Sequence, residues 1–483
     1  MTDEDRQGLL TAACGVADEL ASKQQWAAAI AALAPYLASD SDDRHVLMAR
    51  FKLACWLREA GRLQEANSKL AALIPDMTQV MGEHHPNTLR LHCILANWVI
   101  PQTPAQAAET IAGLRPVLDA QERILGPDHR HVLDTRVTIA DLMGVEGAVG
   151  DCVAALEQVL ADQRRVLGPD NSELLFTRHC LSLWLGKVGR NEQALNVSRQ
   201  ALTDAQRILG LDHPATLIAR CNHAYALANV GKVDDAVLAF EDIVADRQRI
   251  LGPDHRETLA SRGSLSSLLT KAGRGEEALQ IARELLTDAV RVLGPNHEDT
   301  RAYRLKFAHQ VRKYGKAEEA VDALRIVLCD QRATAGPRAP RTLAVMGQLG
   351  NALGRAGQVH DAVATLERTL ADRLSTMGPT NPATLATRED LGDWLGEAGR
   401  IDEAVAMFEE LVAECGRVLR PNHPGAFVAR RKLAGWLNRA GRRGEALATY
   451  LELLADQEQS LGADHKATVA TREAIDEMGG DHD

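Results

Sequence analysis

A glycine recurs every 42 residues along most of this chain, and no other feature restricts its fold as strongly. One period runs from Gly210 to Gly252, and Arg420 stands in the same phase in place of a glycine. Self-similarity at a fixed period means that the chain is a stack of similar units. The glycines in this phase are Gly126, Gly168, Gly210, Gly252, Gly294, Gly336, Gly378 and Gly462.

Each unit has the apolar spacing of two helices. After Gly399, the apolar residues Val405, Phe408 and Val412 follow one another at helical spacing and define one face of an amphipathic helix. A shorter apolar pattern precedes Gly399, which can supply the left-handed residue that ends a helix. The unit is therefore predicted to be a helical hairpin.

The loop between units predicts a helix cap. In the copy GLDHPATL, Pro214 suits a first helical residue, and His213 or Asp212 can accept from the free N–H groups of the new helix. Asn171 and Asn381 occupy the same place as His213. Metal binding is the alternative for these histidines, but each lies a full repeat from the next, whereas a metal site needs converging ligands.

Small residues pair at an offset of 12, as in Ala224 with Ala236 and Ala434 with Ala446, and Phe240 and Phe408 hold an aromatic position. This pattern resembles the tetratricopeptide repeat. The resemblance implies an all-α, right-handed superhelical solenoid of antiparallel helix hairpins, here about eleven plus a C-terminal capping helix. Units longer than the usual length of about 34 residues are similar to those of kinesin light chains and bacterial tetratricopeptide arrays. HEAT or armadillo repeats remain the alternative fold.

The regularity of the repeat divides the chain. We expect irregular hairpins over residues 1–125, a regular array over 126–462, a capping helix over 463–478 and a disordered tail over 479–483. Pro101, Pro104 and Pro116 fall within the irregular part, where we expect a broken or kinked hairpin.

Composition excludes several function classes. The net charge of -11 opposes binding to a nucleic-acid backbone. The N-terminus MTDEDRQGLL lacks the basic and apolar regions of a secretory signal, and the longest apolar run, 27–38, is too short to cross a membrane. The eight cysteines include no C-x-x-C pair, and we find none of the common nucleotide-binding, hydrolase or zinc-protease motifs. We therefore expect a cytoplasmic, non-enzymatic protein with no cofactor or metal.

An arginine recurs in the first helix of most units, and a carboxylate recurs near the end of the second. Such arginines could form a stripe for polyanions, but both signs share one period, which favours internal ion pairs. The arginines are Arg50, Arg136, Arg178, Arg220, Arg262, Arg304, Arg388, Arg430 and Arg472.

The tryptophans, each five residues before a turn, are predicted to lie in the hairpin core.

Function is sought where units differ, because the positions that repeat serve the stack. The resemblance implies a concave groove lined by first helices, and its variable positions become basic between Lys271 and Arg355. We expect this segment to bind an acidic extended peptide, with Gln348 and Asn351 free to hold its backbone; an ordinary solvated helix face is the alternative. The candidate groove residues are Asn222, Tyr225, Lys271, Lys306, His309, Arg312, Lys313, Gln348, Asn351 and Arg355.

The sequence thus predicts an interaction scaffold or adaptor that binds a protein or peptide, with neither nucleic acid nor membrane as partner. The alternative function is a module that senses a small molecule or signalling peptide and acts in trans on a regulatory NTPase or a transcription factor.

Overall fold

The computed structural model describes residues 3–22, 25–37, 44–60, 62–99, 101, 103–418 and 423–479. Over these residues it contains 23 α-helices, one 3-10 helix and no strand. Consecutive helices pair into eleven hairpins, and the last helix packs on the eleventh, which confirms the predicted all-α repeat fold. Arg420 and the tail residues 480–483 lie outside the described residues, so the predicted disorder of the tail is untested.

The chain forms two compact units, residues 1–243 and 244–483, and the boundary falls within α12 (Val233–Leu251). The first unit contains α1 (Asp3–Ser22), α2 (Trp26–Leu33), the 3-10 helix Ala34–Leu37, α3 (Arg44–Glu59), α4 (Leu63–Met81), α5 (Pro86–Trp98), α6 (Pro104–Leu125), α7 (Arg130–Glu146), α8 (Val149–Leu167), α9 (Glu173–Lys187), α10 (Asn191–Leu209) and α11 (Pro214–Asn229). In the region where a broken or kinked hairpin was predicted, α5 is a short helix of 13 residues, and α6 continues as one helix through Pro116.

The second unit contains α13 to α23. Its helices are α13 (Arg256–Lys271), α14 (Gly275–Leu293), α15 (Glu298–Tyr314), α16 (Ala317–Ala335), α17 (Pro340–Arg355), α18 (Val359–Met377), α19 (Pro382–Glu397), α20 (Ile401–Val418), α21 (Pro424–Arg439), α22 (Arg443–Leu461) and α23 (Lys466–Gly479). The odd-numbered helices are the first helices of their hairpins, and the even-numbered ones are the second.

Small residues let the two helices of a hairpin approach closely, as predicted. A Cβ atom added to Gly392 in α19 would lie 2.7 Å from the ring of Phe408 in α20. Phe408 is fully buried and belongs to an apolar cluster that continues into the next hairpins. The turn at Gly399 has φ +81, the left-handed conformation that glycine tolerates best.

The loop histidines cap the first helices. His213 Nδ1 accepts a hydrogen bond from the Ala215 amide at 3.1 Å, and Asn381 Oδ1 accepts one from the Ala383 amide at 2.9 Å. The capping interpretation is thus confirmed. The same cap is formed by His85, His129, Asn171, His255, His297, His423 and His465.

The recurrent arginines pair with carboxylates on the second helix of their own hairpin, which confirms the internal ion-pair interpretation. Arg388 departs from the pattern, because it forms its ion pair with Glu410, which lies one helical turn before the expected partner, Glu414. Where Met346 replaces the arginine, Arg338 from the preceding loop reaches Asp372 at 3.0 Å. Arg472 of the last helix, which has no second helix after it, pairs instead with Glu458 of the preceding helix. The pairs within hairpins are Arg50–Asp76, Arg136–Asp162, Arg178–Asp204, Arg262–Asp288, Arg304–Asp330 and Arg430–Asp456.

Three of the tryptophans join successive first helices rather than the two helices of one hairpin. A Cβ atom added to Gly144 would lie 2.4 Å from the indole of Trp184, and Gly354 and Trp394 repeat this contact. The sequence correctly indicated that Trp184 is buried, but its partner helix lies in the neighbouring repeat.

Candidate functional site

The first candidate residues, Asn222 and Tyr225, lie together on α11 in the first unit. They line a cavity of about 230 Å³ with His179 and Leu183 of α9 and with Asn229. The Asn222 side-chain amide contacts His179 Nδ1, and burial lowers the pKa of that imidazole. Because the cavity walls carry amides and apolar groups, this place suits a neutral polar ligand.

The basic candidates lie in the second unit, where the structure brings α15 against α13. The Lys306 ammonium lies 3.4 Å from the Gly263 carbonyl oxygen, and Gln310 donates to Thr270 Oγ1 at 2.6 Å. Burial lowers the pKa of Lys306. Within the described part of the chain, no ion pair joins this ammonium to a carboxylate.

Three further candidates follow Lys306 along α15. Arg312 reaches His309 Nδ1 at 3.5 Å, and Lys313 lies over the Tyr314 ring. The Arg312 Nε atom is buried without a partner. Burial lowers the pKa of His309, and the neighbouring cations of Arg312 and Lys313 lower it further. Lys306 and Lys313, seven residues apart, lie on one face of α15.

The pair α19 and α21 provides a matched contrast three repeats later. Lys432 stands in the phase of Lys306, and its ammonium lies 2.7 Å from Glu389 and 2.5 Å from Asp393. Arg439 stands in the phase of Lys313 and lies 2.8 Å from Glu397. Three carboxylates of α19 are thus neutralised by cations of α21.

On α13, the phases of these three carboxylates hold Gly263, Ser267 and Lys271 instead. Lys306 and Lys313 therefore lack the neighbouring carboxylates that pair with Lys432 and Arg439. In addition, Lys271, Lys313 and Arg355 share one phase of three successive first helices.

Of the two amide candidates on α17, Asn351 contacts α19. Asn351 donates to Asp390 at 2.8 Å and accepts from Trp394 Nε1 at 2.8 Å. The expectation that Asn351 is free to hold a peptide backbone is therefore wrong, because its side chain already connects two residues of the next repeat. Gln348 is half-buried, and Arg355 is exposed at the end of α17.

A second cavity in the first unit was missed by the sequence analysis. It encloses about 200 Å³ and is lined by the first helices α5, α7 and α9, with Gln121 and Gln163 of the second helices beneath them. Its charged lining residues are Arg90, Asp134 and Glu173. The sequence did not mark this cavity, because the phase of Gln163 holds glutamine also at 121, 331 and 457 and arginine only at 247 and 373.

Ionisation in this cavity is strongly perturbed. Burial and, as a smaller effect, the nearby Glu173 carboxylate raise the pKa of the Asp134 carboxyl to about 6. Burial and, as a smaller effect, the neighbouring cations lower the pKa of His131 to about 4. His131 is therefore neutral at pH 7, while Asp134 is charged at a cost in free energy.

We expect Asp134→Asn to stabilise the protein at pH 7.5. The pKa of Asp134 is raised from 3.8 to about 6, so the folded state binds this proton more tightly than the unfolded chain. The resulting penalty is absent below about pH 4, grows as the pH rises and is complete above about pH 6. One pKa unit corresponds to about 1.4 kcal/mol, so the variant should gain roughly 1–3 kcal/mol.

Thermal unfolding of the variant and the parent at about pH 7.5 and pH 3.5 checks this, and the difference should disappear at the acid end. Asp242→Asn, at an exposed position of α12, serves as the control and should change stability by less than about 0.5 kcal/mol. An equal gain at both pH values would contradict the assigned cause.

Over the described residues, no cluster of three or more histidine, cysteine, aspartate or glutamate side chains has the arrangement of a metal site. None of the helices described is long and apolar enough to span a bilayer.

Comparison with known proteins identifies the repeat. Models described as tetratricopeptide repeat match residues 177–215, 216–257 and 258–299 and residues 341–413. No curated protein matches the chain.

Several solved structures are similar to parts of the chain. One contains the nearly identical TPR-like repeats of a kinesin light chain from Podospora anserina, with 27% identity over 42% of this chain and 95% of the other, at a TM-score of 0.39. BtubC (BKLC) from P. vanneervenii is 17% identical over 48% of this chain and 93% of its own, with a TM-score of 0.42. A Rap protein complexed with competence and sporulation factor is 12% identical over 82% and 98%, with a TM-score of 0.43.

Proposed function

Because the chain is a tetratricopeptide-repeat protein, we propose that it is a non-enzymatic interaction scaffold in which the first-helix surface around α15 binds an acidic extended peptide. Tetratricopeptide repeats generally mediate protein–protein interaction, and arrays of this kind present extended binding surfaces. The scaffold would act in the cytoplasm and without a cofactor.

One observation carries the proposal. Lys306 and Lys313 repeat the positions of Lys432 and Arg439, but only the latter two have carboxylate partners in the neighbouring first helix. A carboxylate of a partner peptide would supply what the sequence omits at Gly263, Ser267 and Lys271. Charge-assisted hydrogen bonds of this kind are roughly twice as strong as neutral ones.

The position of the cations favours binding over a purely solvated face. Lys306 is exposed, but its ammonium lies 3.4 Å from the Gly263 carbonyl oxygen, and burial lowers its pKa, so it does not interact with water alone. Its chain is thus already ordered, so little further entropy is lost when an anion binds.

We expect the triple variant Lys306→Glu, Arg312→Glu and Lys313→Glu to lose at least about tenfold in affinity for acid-rich peptides. A peptide array of acid-rich and neutral extended octapeptides, probed with the full chain at low and high salt, measures this. Added salt should weaken the binding of the parent protein, because exposed charges are screened.

A second variant copies the native acidic positions. Ser267→Asp with Lys271→Glu places carboxylates on α13 where α19 has Asp393 and Glu397, so it should neutralise α15 internally and also weaken peptide binding.

The control triple Arg325→Glu, Arg341→Glu and Arg368→Glu changes the same net charge at exposed positions outside the α15 surface. It should retain binding, and circular dichroism should report unchanged helicity in every variant. Undiminished binding by the first triple would rule out the α15 surface as the site.

The cavity beside Asn222 favours a second candidate function, a module that senses a small ligand or signalling peptide and acts in trans on a regulatory NTPase or a transcription factor. Its amide and apolar lining suits a neutral ligand. Differential scanning against peptide and metabolite panels separates the two: stabilisation that Asn222→Ala removes, while the α15 triple retains it, would favour sensing.

A further inference from the structure

The cavity between α5, α7 and α9 occupies a place that arginine side chains fill in two other repeats, at Arg247 and Arg373, whereas glutamine stands in the same phase at 121, 163, 331 and 457. In the second unit, Arg247 of α12 is 5% exposed and extends towards the start of α13. Its guanidinium donates to Ser261 Oγ at 2.6 Å and to the Glu257 carbonyl oxygen at 2.9 Å, and it lies 3.1 Å from the Glu257 carboxylate.

Arg373 of α18 repeats this arrangement. It is 8% exposed and donates to the Ala383 carbonyl oxygen, to the Thr387 hydroxyl and, at 3.1 Å, to the Leu343 carbonyl oxygen. Two repeats thus bury a guanidinium at the junction between a second helix and the following first helix.

Two repeats before Arg247, the same phase contains Gln163, and the positions of Glu257 and Ser261 are held by Glu173 and Thr177. The acceptors are retained, but the arginine is missing. Gln163 is 1% exposed and Thr177 is fully buried. The atoms Gln163 Oε1, Glu173 Oε2 and Thr177 Oγ1 are all buried without a hydrogen-bond partner.

Buried polar atoms are seldom left without a partner, because each costs about 1–3 kcal/mol. The adjoining cavity of about 200 Å³ far exceeds the roughly 10–15 Å³ that one water molecule needs. The space and the unpaired acceptors together suit a planar group with several donors.

The lining of the cavity carries two carboxylates and one cation, Arg90. The carboxylates are Asp134 and Glu173. Glu173 Oε1 accepts from Arg130 at 2.5 Å, whereas Glu173 Oε2 is the atom without a partner. Arg90 stands at the exposed edge, and His131 is neutral at pH 7. Phe176, half exposed, provides an aromatic wall on which a planar cation can stack.

We propose that this cavity binds a guanidinium group supplied from outside the chain, with Glu173 and Thr177 accepting its hydrogen bonds as Glu257 and Ser261 accept those of Arg247. Guanidinium presents five donors in a fixed planar fork and is more weakly hydrated than ammonium, so it suits a buried, acceptor-rich cavity. The group belongs either to a free metabolite or to an arginine of a partner peptide, and both present the same chemistry.

Isothermal titration calorimetry of the full chain tests the proposal with four probes: agmatine, L-arginine, the blocked tripeptide acetyl-Gly-Arg-Gly-amide and citrulline, the neutral isostere of arginine. We expect at least one guanidinium probe to bind at least about tenfold more tightly than citrulline. Tighter binding of agmatine or arginine identifies a metabolite, and tighter binding of the tripeptide identifies a peptide arginine. If no guanidinium probe binds, or if citrulline binds equally well, the proposal is wrong.

Three variants locate the binding. Gln163→Arg introduces the arginine that two other repeats carry in this phase, so it should fill the cavity, abolish probe binding and raise the thermal unfolding midpoint. Glu173→Gln keeps the shape but removes the charge, and it should weaken binding by at least about tenfold. Thr177→Val should weaken binding less.

Gln457→Arg makes the same substitution in the same phase of α22, away from the cavity, and should leave binding unchanged. Loss of binding in Gln457→Arg, or full binding in Gln163→Arg with a cooperative unfolding transition, would each overturn the assignment of this cavity.

Discussion

Gly396→Ala is expected to destabilise the protein by about 1–3 kcal/mol, although alanine is a better helix former than glycine. A Cβ atom at this position of α19 would lie 2.1 Å from the indole of Trp436 in α21. Trp436 is 6% exposed and donates from Nε1 to Asp393, so its ring is held on both sides and cannot easily move aside. The substitution therefore forces two successive first helices apart.

Gly416→Ala in α20 is the matched control. Gly416 also lies in the last turn of its helix, and nothing stands within 4 Å of a Cβ atom built there. This variant should be neutral or gain up to about 1 kcal/mol, because alanine lowers the entropy of the unfolded chain. Urea unfolding followed by tryptophan fluorescence and by circular dichroism compares the two variants. Similar gains in both would show that the contact between Gly396 and Trp436 is not tight.

Arg304→Met is expected to cost about 2–4 kcal/mol, since removal of one partner leaves a buried charge unpaired. Arg304 is 8% exposed; its guanidinium pairs with Asp330 and donates to the Pro295 carbonyl oxygen at 3.0 Å. Methionine fills a similar volume, so most of the loss arises from the isolated Asp330 carboxylate and not from a cavity.

A neighbouring hairpin of the same protein already has methionine in this position and provides a native comparison. Met346 stands in the phase of Arg304, but the carboxylate of its hairpin, Asp372, is paired with Arg338 from the loop. The double variant Arg304→Met with Asp330→Leu should recover most of the stability, because no charge is then left buried without a partner. Thermal unfolding of the single and double variants measures this. An Arg304→Met protein as stable as the parent would mean that the pair contributes no stability.

Features that serve the stack could be predicted from the sequence because each is local or recurs in phase. A histidine before a helix caps it through an amide two residues away, as His213 does, whatever the rest of the chain does. The pair Arg178–Asp204 lies within one hairpin, so a single period of the repeat determines its geometry.

Features that lie between repeats were harder to predict. Trp394 was expected in the core of its own hairpin, but it packs on Gly354 of the preceding first helix. Asn351 was expected to be free, but it accepts from the Trp394 indole and donates to Asp390. Helical spacing shows which face of a helix is apolar, but not which neighbour covers that face.

For the candidate site, too, some features could be predicted from the sequence and others could not. The sequence identified the cations of α15, and Lys306 and Lys313 do lie on one face, but it could not show that α13 lacks the carboxylates with which α19 balances Lys432. It missed the cavity at Gln163 altogether. A glutamine in a helix is unremarkable until the structure shows that Arg247 and Arg373 fill the corresponding space in their repeats.

By itself, the sequence determined the repeat, the hairpin, the caps and the ion pairs, because these depend on contacts within about one period of 42 residues. The tertiary structure alone decided which charges remain unbalanced and where an unfilled cavity lies. The reason is physical: burial and pairing depend on every element that packs against a group, and for the first helices the deciding neighbours lie a full repeat away in the chain.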